Sequence, residues 1–442
     1  MDLKGTLYKR LEKYAKVDTK SDETSKTFPS SKGQLTLGKM LARELKSIGV
    51  KNVRMDKYGY VTGELPANTC VGGETATAVS LSSWKGSKPV KHGVPQTATA
   101  KGKLPVIGFL AHMDTSPDAG GAGVKPQVHR NYKGGNIVIS KKLGVVLTPK
   151  NCPELLARKG EDIVTASGDT LLGADNKAGL AIILTAAEHL IKHPEIEHGK
   201  IKIGFTPDEE VGQGIKYFNV KKFGADAAYT FDGDVAGSIE QETFNADGVK
   251  ITIKGKSVHP GTAKNALANA VRIAADIVSA WPENFLPETT ENREGFIMFT
   301  DLKGEIEKAE ITGIVREHDL AKLKTMQKHL TAIVAEKGLK YPLAEIKLEF
   351  KEQYRNMGPV IAKHPKVMAN LVAAVKKAGL TPHIKPVRGG TDGARLSFMG
   401  LPTPNVFTGG YNYHGRYEWV SLDGMEKSMQ VLINLVQEWA NK

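Results

Sequence analysis

The sequence predicts an α/β fold with an α+β domain inserted into it, on three observations. Short apolar strands alternate with amphipathic helices through residues 105–231, the rhythm of a sheet whose loops gather at its strand ends. Between about residues 244 and 353 the order becomes β-α-β-β-α-β, that of a ferredoxin-like module. Helical periodicity then resumes in "HPKVMANLVAAVKKAG" and in a C-terminal helix beginning near Leu422.

Taken in order, residues 1–66 read as a capped helix, a loop and a second helix. In "TFPSSKGQLTLGKMLARELKSIGV" the apolar Leu37, Met40, Leu41, Leu45 and Ile48 recur at helical spacing, and Gly49 stops the run. Residues 67–103 are rich in Gly, Thr, Ser, Ala and Lys without helical period and read as a long surface excursion. "PVIGFLAHMDTSPD" is a short apolar strand running into a polar loop. In "DNKAGLAIILTAAEHLIK", Leu180, Ile183, Leu184, Ala187, Leu190 and Ile191 make one stripe, so a helix is expected with its N-terminus at Asp175. "IKIGF" (201–205) and "AAYTF" (227–231) are the next strands.

Within the insertion, "GVKITIKG" alternates like a half-buried strand. "AKNALANAVRIAADIVSAW" then carries a helical stripe through Leu267, Val271, Ala274, Ile277, Val278 and Trp281. "FIMFTDLKG" and "AEITGIVRE" read as strands, and "AEIKLEF" closes the segment as the last one. Between them "DLAKLKTMQKHLTAIVAEKG" is a helix, with Asp319 as its N-cap and Gly338 at its end.

Composition limits the function classes. Hydrophobic residues at 40% and charged residues at 25% are those of an ordinary globular protein. No apolar run approaches the ~18 residues of a membrane helix, and "MDLKGTLYKRLEKYAKVDTK" lacks the apolar core of a secretory signal. The two cysteines, Cys70 and Cys152, form no CxxC pair. That argues against a disulfide scaffold or thiolate metal site and suits a reducing, cytoplasmic setting. The net charge of +13 is scattered rather than massed in one block, so neither nucleic acid nor membrane is an expected partner.

Five features fall just after expected strands or at helix starts, where an α/β sheet gathers its active site. They are His112 and Asp114 in "AHMDTSPD", Asp175 in "LLGADNKAG", Glu209 and Glu210 in "TPDEEVG", Asp232 in "TFDGD", and His414 in "GGYNYHGRYE". Singly, each has a plain structural reading; Asp175 could be a helix cap and the glutamates a solvated turn. Together, histidines and carboxylates without thiolates match the donor preferences of zinc or a similar divalent ion. A two-metal hydrolase needs a bridging carboxylate, terminal ligands for each ion and a base for the attacking water. The H-x-D spacing puts Asp114 within reach of the second imidazole nitrogen of His112.

The blocks "GFLAHMDTSPD", "DTLLGADNKAGLA", "FTPDEEVGQG", "YTFDGD", "HPGTAKNALANA" and "RGGTDGARLSFMGLPTPNVFTGGYNYHGRYE" resemble, in the same order, the tripeptide aminopeptidases among the aminoacylase-type di-zinc peptidases. The resemblance runs through nearly the whole chain. It implies a catalytic domain with a mixed sheet flanked by helices, formed by residues 1–243 and 356–442, and an inserted ferredoxin-like lid at 244–355.

Residue by residue, the resemblance implies two Zn2+ ions, with His112 and Asp232 holding one, Glu210 and His414 the other, and Asp175 bridging. It makes Glu209 the general base and Asp114 the residue orienting His112. His259 of "SVHPGT" would stabilise the oxyanion from the lid, and Arg388 of "VRGGTDG" would hold a substrate carboxylate, with Asn356 of "YRNMGP" a weaker substrate contact. A cis Asp175–Asn176 bond is also implied. The implied activity is release of the N-terminal residue from a small peptide, most of all a tripeptide, by a chain that could pair as a homodimer. The same residues would also serve a dipeptidase or an N-acyl-amino-acid deacylase, and an inactive relative would act as a binding module. Two features depart from the family pattern: residues 67–103 look like an insertion, and Asp234 stands where a glycine-rich continuation is expected.

Overall fold

In the computed structural model, residues 2–69 and 104–441 are described. The surface excursion expected at 67–103 lies outside them but for its first three residues. The chain divides into two compact units. One comprises Met1–Gly237, Ala369–Pro382 and Val406–Lys442, the other Ser238–Met368 and His383–Asn405.

The first unit is organised by a mixed sheet. Strand Ile107–His112 lies at its heart, parallel to Ile201–Thr206 on one side and Ala227–Gly233 on the other. All six residues of Ile107–His112 are buried, which is why it reads as a continuous apolar run rather than an alternating one. Beyond Ile201–Thr206 the antiparallel hairpin Lys51–Met55/Val61–Leu65 extends the sheet. Helix Ala174–Lys192 packs across the central strands and against helices Leu3–Ala15 and Leu422–Ala440. A smaller antiparallel sheet joins Gly410–Tyr411, Trp419–Ser421, Ile163–Thr165 and Gln127–His129.

The second unit carries the ferredoxin-like module. Strand Asn245–Lys254, helix Ala270–Ser279, strands Phe296–Gly304 and Lys308–Glu317, helix Leu320–Lys340 and strand Glu345–Tyr354 follow the expected order. Asn245–Lys254 lies between Lys308–Glu317 and Glu345–Tyr354, and all neighbours are antiparallel. Its core joins Ile251, Ile253 and Ile311 from the sheet to Ile273, Ile277, Leu323 and Leu330 from the helices.

Four expectations are corrected. The hairpin at 51–65 is absent from a helix-loop-helix reading of 1–66; Asp56 makes its turn by accepting the N–H groups of Tyr58 and Tyr60 at 2.9 and 3.1 Å. The first helix of the insertion starts only after Asn269, whose side chain accepts from Val271 and Arg272, so Leu267 precedes it. Gly338 does not end its helix, which continues to Lys340. Asp175 is not a helix cap: it and Asn176 have non-helical torsions. The Asn176 side chain takes the capping role by accepting the Gly179 N–H at 3.2 Å.

Candidate metal centre

The centre is built at the C-terminal edge of the parallel strands, where α/β sheets gather their sites. Strand Ile107–His112 ends on His112 itself, and Ala227–Gly233 delivers Asp232 one residue from its end. Ile201–Thr206 runs out just before Glu209 and Glu210. Asp175 enters from the start of helix Ala174–Lys192, and His414 from the loop joining strands Gly410–Tyr411 and Trp419–Ser421. The Asp175–Asn176 peptide is cis, and His414 has φ +63°.

These side chains converge. His112 Nε2 lies 2.9 Å from Asp175 Oδ1 and 3.3 Å from Asp232 Oδ1. His414 Nε2 lies 3.0 Å from Glu210 Oε2 and 3.4 Å from Asp175 Oδ2. Asp175 therefore touches both imidazoles, one through each oxygen. Donor atoms of His112, Asp175 and Glu210 fall within 4.8 Å of one another, as do those of His112, Glu209 and Asp232.

Asp114 organises two parts of this arrangement. It is fully buried, and its Oδ1 sits 3.2 Å from His112 Nδ1. The same carboxylate accepts the backbone N–H of Glu209 at 3.0 Å and of Glu210 at 3.1 Å. One side chain thus orients the histidine and sets the turn that carries both glutamates. Asp208, at φ +53°, ties that turn outward by accepting from the Ser30 backbone N–H at 2.7 Å and from Gln34 Nε2 at 2.7 Å.

The electrostatics call for cations. Burial, reinforced by the Asp175 charge, pushes the Glu210 carboxyl up to about 8. Burial likewise raises Asp232 to about 6 against the pull of His112. Asp175 goes the other way: burial opposes its ionisation, but hydrogen bonds from His112 and His414 outweigh it. His414 is held up at about 11 by its hydrogen bonds to Asp175 and Glu210. Glu210 Oε1 is buried with no hydrogen-bond partner among the described residues, an expensive state for a carboxylate oxygen unless a cation meets it. Histidine nitrogens and carboxylate oxygens without sulfur are the donor set of a divalent ion of the zinc type. The residues fit a metal centre.

The other three candidates lie in the second unit. His259 Nδ1 accepts the Gly261 N–H at 3.1 Å. Arg388 donates to Glu294 O at 2.8 Å and Thr290 Oγ1 at 3.0 Å, with its guanidinium over the rings of Phe244 and Phe296. Asn356 is buried. Its Oδ1 accepts from Thr243 and Gly358 at 3.1 and 2.8 Å, and its Nδ2 donates to His318 O at 3.1 Å. Asp234 Oδ1 accepts the N–H of its neighbour Val235 at 2.5 Å.

Sequence reasoning missed Gln34, Asp208, Asp118 and Glu418. Asp118 Oδ2 lies 3.4 Å from His414 Nδ1, and Glu418 binds backbone at the Asp175 turn. Both stand in the quoted motifs, "HMDTSPD" and "YHGRYE". Further carboxylates in those motifs, six residues after His112 and four after His414, were the available signal.

Comparison with known proteins identifies the family of the chain. The family model described as "Peptidase family M20/M25/M40" matches residues 171–438. The chain is 45% identical to a Peptidase T of Caldanaerobacter subterraneus subsp. tengcongensis, over 98% of each chain. It is also 45% identical to a Peptidase T of Clostridium perfringens, over 99% of each. Among solved structures, the fold is shared with the aminopeptidase PepT of Bacillus cereus, with a TM-score of 0.72, 20% identity and 99% of each chain covered. It is shared too with a dinuclear metal-binding M20 peptidase of Bacillus subtilis, with a TM-score of 0.62, 14% identity and 98% of each chain covered. With a family model spanning more than half of its residues and relatives this similar over their full length, the chain belongs to peptidase family M20/M25/M40.

Proposed function

We propose that this chain is a cytoplasmic, metal-dependent aminopeptidase that releases the N-terminal residue of short peptides, tripeptides foremost. The observation that carries the reading is the contact of Asp175 with two imidazoles at once, each of which also meets a second carboxylate. His112 and Asp232 would hold one zinc ion, Glu210 and His414 a second, and Asp175 would bridge them. Ions held there would supply a water of lowered pKa and polarise the scissile carbonyl. The tripeptide preference is supported by the similarity to relatives named Peptidase T.

The remaining work belongs to the chain's own groups. Glu209 takes the proton of the attacking water and returns it to the departing amine. A turn after the strand, rather than the strand itself, lets the adjacent glutamates serve different partners. His259 accepts the Gly261 N–H at Nδ1, which leaves its donor N–H at Nε2. That N–H would donate to the oxyanion of the tetrahedral intermediate. Arg388 meets neutral carbonyls, a hydroxyl and aromatic faces; its charge would be neutralised by a substrate carboxylate.

The test is a length series on the purified, zinc-loaded protein: di-, tri- and tetrapeptides of alanine, N-acetylated trialanine and an N-acetyl amino acid. Trialanine should be cleaved fastest, at its first peptide bond, with activity lost to chelator and restored by zinc. N-acetylated trialanine should resist. Preference for a dipeptide or an N-acyl amino acid would replace the substrate assignment. Salt-sensitive nucleic-acid binding without zinc uptake would replace the enzyme reading altogether.

A further inference from the structure

The turn that presents Asp175 cannot be held by the helix it precedes. Asp175 (φ −82°, ψ 106°) and Asn176 (φ −120°, ψ 36°) lie outside helical geometry, so the N–H groups before them need acceptors from elsewhere. Glu418 supplies them. Its Oε2 accepts from Leu172 and Gly173, both at 2.7 Å, and its Oε1 accepts from Asp175 at 3.0 Å. Glu418 is only 1% exposed.

A buried carboxylate persists only when hydrogen-bonded and charge-balanced. The balance comes from Lys177, wholly buried, which donates to Val17 O at 2.8 Å and feels the charges of Glu418, Asp18 and Asp114. The turn itself has little freedom. Gly173 has φ +77°, and a Cβ there would meet Thr115 Cγ2 at 3.2 Å and the Lys177 ammonium at 3.3 Å. Glu418 is anchored in turn by the next residue. Trp419 pairs with Thr165 in the small sheet and stacks on Tyr411 with ring centroids 4.0 Å apart.

We propose that Glu418 is the positioning residue of the bridging carboxylate: it fixes the 172–175 turn before any metal arrives and thereby sets how tightly the centre holds its ions. The inference rests on the metal centre proposed above. Glu418 touches neither substrate nor the reacting atoms. It acts through the backbone of Asp175, as outer partners of metal ligands do, whose loss typically costs ~10–100-fold in metal affinity.

Two measurements test it. In the metal-free wild-type enzyme, hydrogen exchange should find the Leu172, Gly173 and Asp175 amides as protected as the interior of helix Ala174–Lys192. Exchange at the rate of an open loop would overturn the proposal, and this readout needs no variant to fold. Glu418→Gln keeps the shape but offers one acceptor oxygen where two are used, and sets an NH2 against N–H groups. With an unchanged far-UV circular dichroism spectrum, it should retain zinc roughly 10–100-fold more weakly in dialysis against graded chelator. Glu418→Asp, which restores both oxygens, should recover part of the loss. Zinc retention by Glu418→Gln within threefold of wild type would also overturn the proposal. A wild-type enzyme that binds zinc and protects these amides but cleaves no peptide would refute the proposed function and leave this inference standing.

Discussion

Gln34 and Asp208 exchange two hydrogen bonds. The Asp208 N–H donates to Gln34 Oε1 at 3.0 Å, and Gln34 Nε2 donates to Asp208 Oδ1 at 2.7 Å. Both residues are buried, and Asp208 immediately precedes the two glutamates at φ +53°. A reciprocal pair of this kind fixes a strained turn that its own backbone would not favour. Truncation by Gln34→Ala leaves a buried carboxylate oxygen and a buried N–H without that partner. The expected cost is about 1–3 kcal/mol of stability, read from the denaturant midpoint, together with a fall in kcat as the turn loosens. Unchanged kcat in a destabilised variant would show that Asp114 and the Ser30 contact hold the turn without Gln34.

The adjacent glutamates should separate cleanly by readout. Glu209→Gln is expected to lower kcat by ~10²–10⁴, the worth of a general base, with bound zinc unchanged. Glu210→Gln should instead lose zinc, because the variant gives up the carboxylate whose Oε1 has no partner among the described residues and whose Oε2 meets His414. Metal content by mass spectrometry alongside kcat decides the matter. The reverse pattern would exchange their roles.

Asp114→Asn tests the shared brace. The amide keeps one acceptor oxygen, so it cannot serve the Glu209 and Glu210 N–H groups at separate oxygens while also facing His112 Nδ1. Zinc affinity should fall ~10–100-fold, with kcat falling even at saturating metal because the Glu209 turn shifts as well. Loss of affinity with normal kcat at saturation would limit Asp114 to orienting His112.

Much of this was legible in the sequence because it is written locally. The insertion's strand and helix order survives in the structure, since alternating and helical patterns report burial directly: Lys308–Glu317 alternates buried and part-exposed along nearly its whole length. The candidate ligands were legible because metal chemistry restricts the residue types and each falls just after a strand or at a helix start. What stayed hidden was long-range. Gln34 reaches Asp208 across 174 positions, and Glu418 reaches Asp175 across 243; no local period marks such pairs. The hairpin at 51–65 escaped because Lys51–Met55 is largely exposed and only Val53 and Met55 are part-buried, too short an apolar face to mark a strand.

The ferredoxin-like module should show its own acid sensitivity through Asp276. Its carboxylate joins the two helices of the module, accepting from Lys340 Nζ at 2.8 Å and Tyr341 Oη at 2.9 Å. Those hydrogen bonds, that from Lys340 foremost, lower the Asp276 carboxyl from 3.8 to about 2. A carboxylate with a depressed folded-state pKa contributes stability that is fully present above its unfolded value and lost as pH falls through the folded one. The window therefore runs from about pH 4 down to about pH 2. Because the pair is close to solvent, its contribution is screened to the range of exposed ion pairs, about 0.2–1 kcal/mol. Wild type should exceed Asp276→Asn by that amount at pH 6, and the gap should narrow steadily below pH 4 in denaturant titrations at matched ionic strength. A gap that stays constant from pH 6 to pH 3 would mean that Asp276 acts through hydrogen-bond geometry that asparagine cannot copy rather than through its charge.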